Sequence, residues 1–179
     1  MTFEELKSHV RTVVDWPVPG VRFRDVTPLF ETPCCFKTIV NAFSDHYLEL
    51  GVDRIAGVDA RGFVIGGAVA NQMGLPFVLV RKKGKLPFAT VSEDYSLEYG
   101  TATIEVHTDS AAPGERIAIV DDLIATGGTL LAASRLFQRL KAEVVEVSAV
   151  IDLPELGGSK LLAESGLKVM SLIQFNESD

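Results

Sequence analysis

The sequence predicts an α/β fold, a three-layer arrangement in which a parallel sheet carries helices on both faces. Short, mostly apolar runs at 54–58, 76–80 and 116–120 are typical of parallel strands that are buried on both sides. Segments with helical spacing of apolar residues alternate with these runs, and the turns between them are short. Strands that alternate with helices in this way build one sheet between two layers of helices.

The first half of the chain is predicted to contain three helices and two strands. Four apolar residues at helical spacing predict the first helix: Phe3, Leu6, Val10 and Val13. The proline-rich segment 15–20 ends it, because proline disfavours the helical conformation of the residue before it. The elements that follow are a helix at 33–50 with Gly51 as its stop, a strand at 54–58, a turn at 59–62, a helix at about 63–73 and a strand at 76–80.

The second half continues the alternation after a polar segment, 84–98, which is predicted to be irregular. The remaining predicted elements are strands at 101–106 and 116–120, a helix at about 128–141, a strand at 144–151 and a last strand near 169–173. The sequence contains no repeat, low-complexity tract or linker. We therefore expect a single domain over 1–179.

Composition and charge narrow the class of protein. The net charge of −7 disfavours a nonspecific nucleic-acid binder. No apolar run approaches the roughly 20 residues that a membrane span needs, and the acidic N-terminus does not resemble a signal peptide. Cys34 and Cys35 are adjacent, so a disulfide between them would be strained, and we interpret them as reduced thiols. These features predict a cytoplasmic protein without a nucleic-acid or membrane partner.

The segment 117–129 carries the strongest functional pattern. A buried strand ends in Asp121 and Asp122, and a loop of small residues, Ala125-Thr126-Gly127-Gly128-Thr129, leads into a helix. Glycines before a helix N-terminus let backbone N–H groups surround an anion, and the hydroxyls add donors. The spacing fits neither a triphosphate loop nor a dinucleotide loop, which favours a monophosphate. Because carboxylates repel phosphate, the pair must hold ribose hydroxyls, a divalent cation or both, unless it only caps the helix.

Three further segments are candidates, and each has a simpler alternative. The basic run Arg81-Lys82-Lys83-Gly84-Lys85 follows a buried strand and suits pyrophosphate under a mobile flap, although it could be a solvated loop. The segment 20–25 could recognise a base through Phe23 or be a surface strand. Glu98 could be an acid or an exposed strand residue.

The three histidines have no suggestive partners, and we interpret them as incidental; they are His9, His46 and His107.

Five segments together resemble the adenine phosphoribosyltransferases of the type I phosphoribosyltransferase family, in the right order and over nearly the whole chain. They are Pro19-Gly-Val-Arg-Phe-Arg-Asp25, Asp59-Ala-Arg-Gly-Phe63, Arg81-Lys-Lys-Gly-Lys-Leu-Pro87, Leu97-Glu-Tyr-Gly100 and Ile119-Val-Asp-Asp-Leu-Ile-Ala-Thr-Gly-Gly-Thr129. The last is the family's signature for phosphoribosyl pyrophosphate (PRPP), and the set of five indicates adenine. The resemblance implies the type I fold, with an N-terminal base-binding hood at about 1–32 and a flexible loop.

The resemblance also implies a role for each candidate residue. The 5-phosphate of PRPP would bind to Ala125, Thr126, Gly127, Gly128 and Thr129, and the ribose hydroxyls to Asp121 and Asp122. The pyrophosphate would bind to Asp59, Ala60, Arg61, Arg81, Lys82 and Lys85, and adenine to Arg22, Phe23 and Arg24. The catalytic residues would be Glu98, which shares a proton with N7 of the base, with Arg61 and Lys82 on the leaving group. In the family the Asp59–Ala60 peptide is often cis.

The implied reaction belongs to purine salvage: adenine and PRPP give AMP and pyrophosphate. The cofactor would be Mg²⁺, carried mainly by substrate oxygens, so no residue is assigned as a metal ligand. A homodimer is implied by the resemblance alone. Two alternatives are a transferase for guanine, hypoxanthine or xanthine, which segment 19–25 argues against, and a regulator that senses PRPP or purines. Such a regulator would need a DNA-binding domain, for which the chain has no room.

Overall fold

The chain folds around a seven-stranded sheet. In this computed structural model the described residues are 1–96, 100–176 and 179. The helices are α1 Phe3–Ser8, α2 Thr27–Glu31, α3 Pro33–Leu50, α4 Arg61–Met73, α5 Gly128–Arg139 and α6 Gly158–Glu164, with a short 3-10 turn at Pro154–Leu156. The strands are β1 Arg11–Val14, β2 Arg22–Asp25, β3 Arg54–Val58, β4 Phe77–Lys82, β5 Thr90–Ser96, β6 Thr101–His107, β7 Arg116–Ile124, β8 Glu143–Asp152 and β9 Val169–Gln174.

The sheet has the strand order β5-β6-β4-β3-β7-β8-β9. Strands β4, β3, β7, β8 and β9 run parallel, whereas β6 pairs antiparallel with both β4 and β5. The carboxyl ends of β3, β4 and β7 therefore lie side by side at one edge of the sheet, the place where ligands of open α/β sheets bind. The predicted α/β fold with a mainly parallel sheet is confirmed.

Helices cover both faces of this sheet, as predicted. One core joins α3 and α4 to one side of the strands, with Ile39, Phe43, Ile65 and Val69 packed against Ile55 and Ala118. A second core joins α5 and α6 to the other side, through Leu136, Phe137 and Leu162 against Ala56 and Ile119. Neighbouring residues of one strand thus enter opposite cores, as the pleat of a strand requires.

The N-terminal segment contains a hairpin that corrects one prediction. The first helix ends at Ser8, and β1 then pairs antiparallel with β2, so that Val13 lies opposite Phe23. The helical prediction for Val10 and Val13 was therefore wrong. β-branched residues also suit a strand, and pairing with β2 stabilises the strand here. The short helices α2 and α6 were not predicted.

Two other boundaries differ from the predictions. Part of the polar segment 84–98 is strand β5, which pairs with β6 over its whole length and was missed because most of its residues are polar. Strand β7 continues to Ile124 instead of ending at 120. Asp121 and Asp122 consequently lie inside the strand. Among the described residues, no helix is both long and apolar enough to cross a membrane.

Candidate active site

The candidate site begins where the N-terminus of α4 approaches β7. A Cβ atom on Gly62 would lie 2.7 Å from the carbonyl oxygen of Val120 and 3.2 Å from Oδ1 of Asp121. Only glycine permits so close a contact, because any side chain would force the helix away from the strand. The turn at 59–60 is thereby held beside the carboxylate pair. The Asp59–Ala60 peptide is cis, in agreement with the hypothesis drawn from the resemblance.

The loop of residues 125–129, which we call the phosphate loop after its predicted role, is supported by Gly158. Gly127 adopts a positive φ of 78°, and α5 begins at the next residue. The backbone N–H of Gly158 donates to the carbonyl of Ala125 at 3.0 Å. A Cβ on Gly127 would lie 2.8 Å from the Gly158 carbonyl oxygen, so the two glycines are in direct contact. These contacts tie the loop to Gly158, at the N-terminus of a twelve-residue helix that favours an anion.

Asp122 of the carboxylate pair is buried and tied to Arg61, whereas Asp121 is partly exposed. Asp122 is only 5% exposed, and its Oδ2 accepts a hydrogen bond from Nε of Arg61 at 2.5 Å. The backbone N–H of Asp122 donates to Oδ1 of Asp121 at 2.8 Å. Burial and the neighbouring Asp122 raise the pKa of Asp121 well above its ordinary value. Burial lowers the pKa of Arg61, but the charge and hydrogen bond of Asp122 outweigh it, so the pKa is raised and the guanidinium stays charged.

Arg81 connects the loops that follow β3 and β4. Its Nε donates to Oδ2 of Asp59 at 3.2 Å, and its Nη1 donates to the carbonyl of Lys85 at 3.2 Å. Lys82 and Lys85 are exposed beside this connection. We call residues 81–86 the basic loop. Its position next to the 59–60 turn places the two predicted pyrophosphate segments together.

The predicted base-binding residues separate into two groups. Phe23 is half-buried and lies edge-on to Trp16, with ring centroids 4.4 Å apart. Arg24, the next residue of β2, points to the opposite face and is 5% exposed. Its guanidinium donates to Oγ1 of Thr12 at 2.6 Å and lies 4.3 Å from the ring centroid of Phe175. The side chain of Arg24 therefore fastens the hairpin to the end of β9, on the face of β2 opposite Phe23.

The hairpin still reaches the rest of the site through Asp25. Burial raises the pKa of Asp25, but hydrogen bonds from Thr27 and the charges of Arg11 and Arg61 lower it by more. The influence is mutual, since Asp25 also contributes to the raised pKa of Arg61. The charge at the end of β2 therefore acts on the same arginine as the charge of Asp122. Glu98, predicted to act on the base, lies outside the described residues.

The comparisons with known proteins agree with this geometry. A family model described as phosphoribosyl transferase domain matches residues 27–173. The adenine phosphoribosyltransferase of Bordetella avium is 53% identical over 176 residues, which cover 98% of this chain and 97% of that protein. The chain belongs to the adenine phosphoribosyltransferase family. The family assignment, the purine-salvage function and the enzyme class predicted from the sequence are therefore confirmed.

Solved structures of the adenine phosphoribosyltransferase family share the fold over the whole chain. The crystal structure from Thermoanaerobacter pseudethanolicus has a TM-score of 0.93 at 40% identity and covers 97% of this chain and 100% of that chain. That from Saccharomyces cerevisiae is complexed with D-2,5-dideoxy-2,5-imino-altritol 1,6-bisphosphate and adenine. It has a TM-score of 0.90 at 35% identity and covers 96% of this chain and 98% of that chain. The chain thus shares the fold of these solved structures over nearly its whole length.

Some residues that build the site were not predicted from the sequence. Gly158 supports the phosphate loop from thirty residues further along the chain, and Glu105 accepts hydrogen bonds from the basic loop. Glu105 stands in an alternating polar and apolar segment that suggested a half-exposed strand, so the pattern gave no sign that it is buried. Among the described residues, no group of three or more His, Cys, Asp or Glu side chains is placed to hold a metal ion.

Proposed function

We propose that this chain transfers the phosphoribosyl group of PRPP to adenine and releases AMP and pyrophosphate. One observation carries the assignment of the site residues. The phosphate loop, the carboxylate pair and the two cationic segments meet at one edge of the sheet, and Arg61 and Arg81 link them. PRPP has a phosphate at one end, ribose hydroxyls in the middle and a pyrophosphate at the other end. In the site, the phosphate loop, the carboxylate pair and the cationic segments follow one another in the same order as these three parts of PRPP.

The phosphate loop is proposed to hold the 5-phosphate. Backbone N–H groups at 125–129, the hydroxyls of Thr126 and Thr129 and the N-terminus of α5 supply donors and partial positive charge. Because Gly158 already fixes the path of the loop, binding requires little reorganisation. The ribose hydroxyls would then donate to Asp121 and Asp122, whose carboxylates act as acceptors.

The leaving pyrophosphate is proposed to bind between the 59–60 turn and the basic loop. Asp59 and Ala60 would contribute backbone donors, and Arg61, Arg81, Lys82 and Lys85 would contribute positive charge. Asp122 and Asp59 each already have an arginine partner, at 2.5 Å and 3.2 Å respectively. Oxygen-rich Mg²⁺ coordination fits this site if most ligands come from PRPP and water. When bound, Mg²⁺ would supply charge that stabilises the leaving pyrophosphate.

Adenine is proposed to stack on Phe23, while backbone groups at Arg22 read its Watson–Crick edge. A backbone carbonyl accepts from the amino group of adenine but leaves the carbonyl of guanine without a donor, and such a mismatch discriminates strongly. The solved relative from Saccharomyces cerevisiae that contains adenine supports a base site in this family. We assign the side chain of Arg24 to holding the hairpin, because its partners are Thr12 and Phe175.

The reaction needs no nucleophile from the protein. The bond between C1 of the ribose and the pyrophosphate oxygen breaks, the electron pair leaves with pyrophosphate, and N9 of adenine forms the new bond to C1. Cations around the leaving group and carboxylates near the developing positive charge on the ribose stabilise this step. Glu98, as a carboxylate, is proposed to share the proton of N7 as charge develops on the base and finally to accept it, so that neutral adenine becomes the base of AMP. Correct positioning of both substrates supplies much of the remaining rate enhancement.

The experiment offers adenine, guanine and hypoxanthine separately to the purified protein with PRPP and Mg²⁺. We expect AMP from adenine and little product from the other bases. Formation of GMP or IMP without AMP would overturn the base assignment, and absence of any turnover would favour a regulator. Omission of Mg²⁺ should abolish the reaction. We also propose a cytoplasmic homodimer, for which light scattering should give twice the mass of 19.4 kDa.

A further inference from the structure

A buried carboxylate underlies the basic loop. Glu105 lies in β6 and is 4% exposed. Its Oε1 accepts hydrogen bonds from three consecutive backbone N–H groups, those of Gly84 at 3.0 Å, Lys85 at 3.2 Å and Leu86 at 3.2 Å. Its Oε2 accepts from Oγ1 of Thr90 at 3.3 Å. The carboxylate is thus surrounded by donors from the loop and from the start of β5.

This arrangement determines the path of the loop. A buried carboxylate is unfavourable unless hydrogen bonds replace its hydration, and here the basic loop supplies most of them. Three successive N–H groups can point at one oxygen only when the backbone curves around it, as in an anion-binding nest. The charge of Glu105 therefore selects one curvature for residues 84–86.

Arg81, the first residue of the basic loop, also holds the backbone of Lys85. Arg81 and Glu105 lie directly opposite each other in the β4–β6 ladder. The N–H of Lys85 donates to Glu105, while its carbonyl accepts from Nη1 of Arg81. Nε of Arg81 also donates to Asp59, so the same side chain connects the basic loop to the 59–60 turn. The backbone of Lys85 is therefore held at both of its polar groups, while its side chain stays exposed.

We propose that Glu105 is a positioning residue for the pyrophosphate end of the substrate. It holds the basic loop in the curvature that presents Lys82 and Lys85 to the leaving group, and it does not touch the substrate. This inference rests on the proposed function. The proposal predicts different effects at the two ends of PRPP. Glu105 contacts the basic loop, whereas the phosphate loop is supported by Gly158.

AMP provides the discriminating ligand, since it has the base, the ribose and the 5-phosphate but no pyrophosphate. We expect Glu105→Leu to weaken binding of pyrophosphate and of PRPP by about 10- to 100-fold, the range for a misplaced positioning element. Its affinity for AMP should stay within about twofold of the original protein. Isothermal titration calorimetry with AMP, PRPP and pyrophosphate, each with Mg²⁺, measures these affinities. The KM for adenine should not change.

The other variants keep the test decisive. Glu105→Gln retains an acceptor but loses the charge, so it should show a smaller loss than Glu105→Leu in the same direction. Thr90→Val removes only the donor to Oε2 and should cause the smallest change. If Glu105→Leu does not fold, Glu105→Gln decides: an unchanged affinity for pyrophosphate would contradict the proposal.

Glu146 is a matched control, a buried glutamate in β8 that interacts with His46 and Ser148. Glu146→Leu should lower the melting temperature without changing the ratio of AMP to pyrophosphate affinity. A Glu105 variant that loses AMP and pyrophosphate affinity equally has only a structural defect, which would overturn the proposal. If the unaltered protein binds neither AMP nor PRPP, the proposed function fails instead.

Discussion

Arg61 and Asp122 form the closest ion pair among the described residues of the candidate site, with Nε and Oδ2 2.5 Å apart. Arg61 opens helix α4 and Asp122 lies in β7, so the contact joins the proposed leaving-group turn to the proposed ribose acceptors. Asp122 is buried, whereas the side chain of Arg61 is half exposed. The arginine can therefore reach a ligand while it still neutralises the carboxylate beneath it.

The first prediction concerns the coupling of these two residues. Asp122→Asn and Arg61→Gln should each raise the KM for PRPP about tenfold or more, which corresponds to about 1.4 kcal/mol. The double variant should lose less than the sum, because residues in direct contact couple by about 0.5–3 kcal/mol. Steady-state kinetics of the four proteins measure the coupling. Glu143→Gln, which breaks the exposed ion pair with Arg116, should leave the KM unchanged. Strict additivity would show that the pair acts separately.

A second prediction tests the support of the phosphate loop. A Cβ on Gly158 would collide with the carbonyl oxygen of Ala125 and lie 2.6 Å from the nitrogen of Gly127. Gly158→Ala should therefore displace the phosphate loop and lower the free energy of unfolding by about 1–3 kcal/mol. The displaced loop should bind AMP and PRPP more weakly. Pyrophosphate affinity should be retained, the opposite of the result expected for Glu105. Calorimetry with the three ligands checks this.

Gly67→Ala is the control for that substitution. The position lies inside α4, and a Cβ there meets no atom within 4 Å. Alanine in a helix interior is favoured over glycine by about 1 kcal/mol, so this variant should be equally or more stable. If Gly158→Ala binds AMP as well as Gly67→Ala does, the supporting role of Gly158 is wrong.

The third prediction concerns pH and follows from the raised pKa of Asp121, caused by burial and by the charge of Asp122. PRPP binding needs the ionised carboxylate, so affinity should fall as pH decreases through this raised pKa. The phosphates of PRPP also titrate and contribute to the pH dependence of binding. Asp121→Asn lacks the carboxylate, so its pH profile gives the contribution of the phosphates without that of Asp121. Fluorescence or calorimetric titrations at several pH values should give a flatter profile for the variant. Parallel profiles would remove Asp121 from ribose binding.

Stability should change in the other direction. Above its ordinary pKa the unfolded chain has lost the Asp121 proton, while the folded chain still retains it, so the folded state loses stability as pH rises through that window. Asp121→Asn removes this penalty. We expect a higher melting temperature than that of the original protein near neutral pH and a smaller difference in acid, measured by calorimetry. A gain in stability with a loss of binding is usual for an active-site charge.

The fourth prediction concerns Glu98, which lies outside the described residues. Glu98→Leu should lower kcat while PRPP affinity stays largely intact, because the proposed role concerns the base and not the sugar phosphate. Rapid-quench measurement of AMP formation and a binding titration with PRPP separate the two quantities. An unchanged kcat would exclude Glu98 from the mechanism.

The sequence predicted the parts of this molecule in which a local pattern has one meaning. Apolar runs marked β3, β4, β7 and β8, and the glycines of the phosphate loop marked the start of α5. The hairpin was not predicted, since Val10 and Val13 satisfy a helical period and only pairing with β2 reveals the strand. Glu105 and Gly158 were missed for a similar reason: each acts through a contact with a segment distant in sequence.

The two ends of the site are fastened to opposite margins of one sheet. Arg24 ties the hairpin that is proposed to bind the base to Phe175, directly after β9, whereas Glu105 ties the basic loop to β6 on the far side. Selection for a different purine can therefore alter the hairpin and its attachment without disturbing departure of the leaving group. Such a division makes the choice of acceptor and the chemistry of transfer separately evolvable. A library randomised around Phe23 and Trp16 should accordingly yield variants with new base preferences that still bind pyrophosphate with the original affinity.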